Sequence, residues 1–150
     1  MTLPHDPMQP IVLDSSVLVG YERVRTAGAA MHETQAWVSG WLLKGIQLVV
    51  PAVSLTVASA ECHGDLPELD YLMHGEPESV VVVPLVGSSA VAVGAAVAES
   101  GGKEISELET AHVVWCAKGN DEDEEPDFRW SVATYWPSLY EKAGVPLITL

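Results

Sequence analysis

Basic residues are scarce in this chain. Lys and Arg number 7 against 21 Asp and Glu, which leaves a net charge of −14 over 150 residues. Grip on a phosphate backbone rests on Lys and Arg, and the only close basic pair is Arg23 and Arg25. The surface as a whole therefore disfavours tight, non-specific nucleic-acid binding. It leaves room for a nuclease whose substrate is held by a partner or a second subunit. Cysteine is scarce as well: Cys62 and Cys116 form neither a C-x-x-C pair nor a zinc-like cluster, and read as reduced, half-buried thiols. No apolar run approaches the roughly 18 residues that a membrane span needs. The first ten residues carry three prolines and no basic start, so they do not read as a secretory signal. These absences point to a cytoplasmic protein with no membrane contact. There is no G-x-S-x-G around Ser15 or Ser16, no Gly-rich phosphate loop and no internal repeat.

What is present is enough for one core. The chain is 48% apolar and its length suits a single domain, 1–150. A domain of this size buries about two thirds of its unfolded surface. Ile11 to Leu13 is a short apolar strand, and apolar residues then recur at helical spacing from Ser15 to about Thr26. Met31 to Lys44 reads as an amphipathic helix with Trp37 and Trp41 on one face, taken as core or dimer-interface residues; Gly45 ends it. Gln47 to Val50 is a strand, and Pro51 suits the first turn of a helix that runs to about Cys62. A short helix follows over Glu68 to Met73. The β-branched run Ser79 to Leu85 predicts a buried parallel strand. Ser88 to Glu99 is a packed helix, and Ser106 to Lys118 a second one, opened by the S-x-x-E capping box of Ser106 and Glu109. Trp130 to Tyr135 and Pro146 to Leu150 are the last strands, separated by a helical turn over Pro137 to Lys142. Strands that alternate with helices call for a parallel sheet covered on both faces: an α/β fold, a three-layer α/β/α sandwich around four to five parallel strands.

Ligands of open parallel sheets bind beyond the carboxyl ends of the strands. Asp14 stands at such an end, with hydroxyls on the next two residues; its plain structural use is to cap the helix behind it. The opening I-V-L-D-S-S resembles the first strand of the PIN-domain family. The stretch E-L-E-T-A-H-V-V, from Glu107, resembles that family's later acidic helix, and S-V-A-T-Y-W-P-S-L-Y with G-V-P-L resembles its closing strands. In element order the resemblance spans nearly the whole chain. It implies small toxin-type ribonucleases of bacterial toxin–antitoxin pairs, in which carboxylates hold Mg²⁺ or Mn²⁺. Such hard cations take oxygen ligands, polarise the scissile phosphate and help to generate hydroxide. The residues implied as catalytic and metal-binding are Asp14, Glu107 and, as a candidate third, Glu61. Two positions depart from the family pattern. Val57 stands where an early helical Glu belongs, with Glu61 one turn later, and Trp136 stands where an Asp belongs. The indole is expected to fill the space of that carboxylate.

Two functional readings follow from the resemblance. One is a Mg²⁺-dependent endoribonuclease with a weakened carboxylate site, an RNA substrate and an antitoxin. The other is a catalytically inactive PIN-like interaction module that needs no cofactor and engages a protein. Both imply a homodimer. A receiver-like phosphate-binding module is disfavoured, because no Lys follows the fourth strand. His112 reads as a buried, hydrogen-bonded histidine. The run Asp121 to Asp127 holds six acids and reads as an exposed, solvated loop near the pocket rim, repelling RNA and attracting a basic partner.

Overall fold

The computed structural model describes residues 9–23, 29–76, 78–99, 105–118 and 130–150. Five parallel strands form one sheet: β1 (Ile11–Leu13), β2 (Leu48–Pro51), β3 (Val80–Val83), β4 (Ser131–Thr134) and β5 (Leu147–Thr149), in the order β3-β2-β1-β4-β5. Between them run α1 (Ser15–Glu22), α2 (Ala29–Leu43), α3 (Ala52–Glu61), α4 (Pro67–Gly75), α5 (Gly87–Glu99), α6 (Ile105–Lys118) and a 3₁₀ turn over Pro137–Tyr140. The acidic run Asp121 to Asp127 lies outside the described residues.

The two cores follow from strand geometry. Successive side chains of a strand point to opposite faces. Ile11 and Leu13 therefore join Leu48, Val50 and Ala133 in one cluster under α1, α2 and α4, while Val12 joins Val49 and Val132 in another under α6. A strand buried on both faces carries no polar alternation, and β1 and β2 read I-V-L and L-V-V-P. The run Val80–Val83 has the same composition but is the outer strand, and Val82 is exposed. The expected buried strand is thus an edge strand; composition cannot tell the middle of a sheet from its rim.

Helix ends are set locally. Gly45 sits at φ +77°, the left-handed conformation that closes a helix at low cost. α4 opens on Pro67 with no side-chain cap of its own. Its first amide groups are taken instead by Glu22 at the end of α1, which accepts from the N–H of Glu68 at 3.2 Å and of Leu69 at 2.8 Å. Trp41 is buried while its neighbour Trp37 is half exposed, their ring centroids 6.0 Å apart. Cys62 and Cys116 are both free thiols, the second fully buried.

This topology fixes where a site can form. From β1 the chain builds outward through β2 to β3, then crosses to the other side of β1 for β4 and β5. The direction of winding therefore reverses between β1 and β4, and a crevice at their carboxyl ends is the expected binding place.

Candidate functional site

Asp14 occupies that crevice. It follows β1 directly and is 1% exposed. Its backbone is extended and its side chain caps α1, with Oδ1 accepting from the N–H of Ser16 at 3.0 Å and of Val17 at 3.3 Å. The capping role expected of an Asp before a helix is therefore present. It is not the whole of the arrangement. The Ser16 hydroxyl also donates to Oδ1, at 2.5 Å. From across the crevice, Thr134 at the end of β4 donates to Oδ2 at 2.6 Å, and the Tyr140 hydroxyl donates to the same oxygen at 2.8 Å. Neighbouring backbone is tied in as well: the Tyr135 N–H donates to Ser16 Oγ at 3.0 Å and the Trp136 N–H to Thr134 Oγ1 at 2.9 Å. A second hydroxyl pair, Thr34 with Tyr135, joins α2 to the chain beyond β4. Gly20 permits this approach, since a Cβ there would stand 3.0 Å from Thr34 Oγ1.

The second acid in the crevice is Glu109. Its Oε1 accepts from the Ser15 N–H at 2.8 Å, and the residue is 5% exposed. Burial pushes its carboxyl above the ordinary range, and the Asp14 charge adds to that. Ser15, through its backbone and hydroxyl, and the nearby Ser54 hydroxyl pull the other way. Ser54 is fully buried and its hydroxyl makes no hydrogen bond of full geometry among the described residues, so it contributes a nearby dipole rather than a firm contact. Burial, then the charge and hydrogen bond of Asp14, hold the Tyr140 phenol far above its ordinary range, so it stays protonated and keeps donating. His112, one turn beyond Glu109, is fully buried. Neither ring nitrogen has a partner among the described residues, and burial lowers its pKa and keeps it neutral. It is buried, as the sequence suggests, and the expected hydrogen bond is not found among the described residues.

The other residues picked out from sequence lie elsewhere. Glu107 is in the first turn of α6 and exposed. Two residues along a helix is a rotation of about 200°, so Glu107 and Glu109 face nearly opposite ways, and the one turned inward is Glu109. The capping box is corrected by the same observation. Ser106 already lies within α6, and the Glu109 carboxylate reaches Ser15 rather than the start of its own helix. Glu61 is the last residue of α3 and exposed, and its carbonyl accepts from Arg23 at 3.0 Å. α3 leaves the carboxyl end of β2, so a residue nine positions on is about 13 Å further along the axis. Ser54, in the first turn, faces Glu109, and Val57 is half buried. Trp136 is 48% exposed, whereas Tyr140 is 1% exposed and bonded to Asp14. The group that closes the crevice is therefore the Tyr140 phenol. Sequence reading missed it because nothing in P-S-L-Y marks one hydroxyl as inward. Glu109 was legible: Glu109, His112, Val113 and Cys116 fall at i, i+3, i+4 and i+7, a single buried face.

A divalent cation does not fit these oxygens. A carboxylate offers about four lone-pair positions, and Asp14 already receives five protein donors. Mg²⁺ demands near-octahedral oxygen ligation at about 2.0–2.1 Å, which would require displacing Thr134 and Tyr140 from Oδ2. Among the described residues no three of His, Cys, Asp and Glu come together in a way that could hold a metal ion.

A five-stranded parallel sheet of order 3-2-1-4-5 wrapped by helices, with an acid at the end of β1 and another on the helix before β4, defines a PIN-like α/β fold. Solved structures that share it include the following two. One is VapBC2 from Rickettsia felis, bound to a DNA fragment from their promoter; it matches with a TM-score of 0.57 and 8% identity over 94% of this chain and 98% of that one. Another is FitAcB from Neisseria gonorrhoeae, with a TM-score of 0.54 and 18% identity over 93% and 96% of the two chains. No protein-family model matches the sequence, and no curated protein matches it.

Proposed function

We propose that this chain is a PIN-like protein-interaction module whose carboxylate crevice serves as a structural joint between β1 and β4. The observation that carries this reading is the saturation of Asp14 by five protein donors, two of them from residues at and beyond the end of β4. A nuclease centre needs carboxylate oxygens free to take a cation and so offset the repulsion of an incoming phosphate. Among the described residues Asp14 and Glu109 are the two acids that meet here, and the family's remaining acidic positions hold Val57 and Trp136. The net charge of −14 opposes an RNA backbone and favours a basic protein surface. The solved structures that share the fold include the assemblies named VapBC2 and FitAcB, which accords with a protein partner for this chain too.

The rival is the toxin-type endoribonuclease using Mg²⁺ or Mn²⁺, and one assay separates the two. Labelled RNA is incubated with the wild type and with Glu109→Gln in Mg²⁺ and in Mn²⁺. The interaction-module reading expects no cleavage that depends on Glu109. Metal-dependent cleavage by the wild type that Glu109→Gln abolishes would replace it with the nuclease.

A further inference from the structure

A groove away from the Asp14 crevice lies between α3 and α4. It has a volume of about 810 Å³, within the range of specific binding clefts. Leu55, Leu66 and Met73 form its apolar wall, each only partly buried against the core. Asp65 and Asp70 line the same groove. The charge around it is predominantly negative. From residue 45 to residue 102 the sequence contains no Lys or Arg, while Glu61, Asp65, Glu68, Asp70, Glu76 and Glu78 crowd into eighteen residues. Within that stretch the cationic groups are imidazoles, of which His74 already pairs with Asp70 at 3.2 Å; Arg23 of α1 comes up to its edge and donates to the Glu61 carbonyl at 3.0 Å.

We propose that the α3–α4 groove is a docking site for a basic amphipathic segment of a partner protein. Its apolar side chains would lie on Leu55, Leu66 and Met73, and its lysines or arginines against Asp65 and Asp70. The inference deepens the interaction-module reading and rests on it. Charge complementarity selects the occupant. A second copy of this chain brings another −14 and few basic groups, and a nucleic acid brings phosphates; both are repelled by the rim. A basic segment is drawn to the rim, while burial of its apolar residues supplies most of the affinity.

A labelled fourteen-residue helical peptide of leucine and lysine is the probe, with a leucine–glutamate peptide of the same pattern as control. Binding to the full chain is read by fluorescence anisotropy over a salt series. The lysine peptide is expected to bind and the glutamate peptide not to. Ala60 lines the groove and is exposed, so Ala60→Trp obstructs it without altering charge; it should weaken the lysine peptide at least tenfold. Asp65→Asn with Asp70→Asn should weaken it several-fold and flatten the salt dependence. Amide shifts on the wild type, which need no variant, should centre on residues 55–73. No binding by the wild type, unchanged affinity in Ala60→Trp, or shifts spread evenly over the surface would each overturn the proposal. Glu109-dependent RNA cleavage would remove the interaction-module reading even with peptide binding intact, and a failed peptide leaves the cleavage assay unaffected, so the two failures are told apart.

Discussion

Two hydroxyls decide the chemistry at the residue scale. Thr134 and Tyr140 both donate to Asp14 Oδ2, and a hydrogen bond to a charged, buried acceptor contributes about 1.5–3 kcal/mol. Tyr140→Phe keeps the ring and removes the donor, so urea denaturation should show a loss of about that size; no loss would mean the contact is incidental. Glu109 makes the opposite prediction. Its folded pKa lies above its ordinary 4.5, chiefly through burial, so the folded state holds its proton more tightly than the unfolded chain does. That difference lowers stability as pH rises from 4.5 through the folded pKa, and the cost is fully present above it. Glu109→Gln should therefore melt higher than the wild type at pH 7, with the advantage vanishing as pH falls below 4.5. An advantage that persists in acid would show that shape, not ionisation, is responsible. The inward turn of Glu109 follows from helical periodicity. That Tyr140 reaches Asp14 does not, because it depends on where a 3₁₀ turn sets down after β4.

At the scale of elements the sequence was more informative. Periodicity and punctuation placed β1, β2, β4 and β5 and the helices between them to within a few residues, because apolar runs and glycines such as Gly45 act locally. Position within the sheet was not legible: four consecutive valines look central and stand at the edge. Long-range caps were equally hidden. α4 has no side-chain cap of its own, and the acceptor it uses, Glu22, is more than forty residues away. Glu22→Ala should cost about 1 kcal/mol, the ordinary worth of a helix N-cap. Hydrogen exchange should show the loss first at the start of α4. Uniform protection in that variant would argue that Pro67 and packing alone hold the helix start.

At the scale of the whole molecule, charge and topology pull together. A net charge of −14 on 150 residues opposes compaction, so the melting temperature at pH 7 should rise between low and physiological salt as screening tightens from about 30 Å to about 8 Å. A flat response would mean the acids are already paired. No helix among the described residues is long and apolar enough to cross a membrane. The reversal of winding between β1 and β4 makes a crevice, and in this chain the crevice is filled by its own side chains rather than left open for a ligand. Paramagnetic Mn²⁺ added to the ¹⁵N-labelled wild type tests that most directly, through the amide signals of Ser16, Val17, Tyr135 and Trp136. These signals should broaden no more than those of other buried amides as Mn²⁺ is added. Selective, saturable broadening of those four at low Mn²⁺ would show a cation seated on Asp14 and contradict the account.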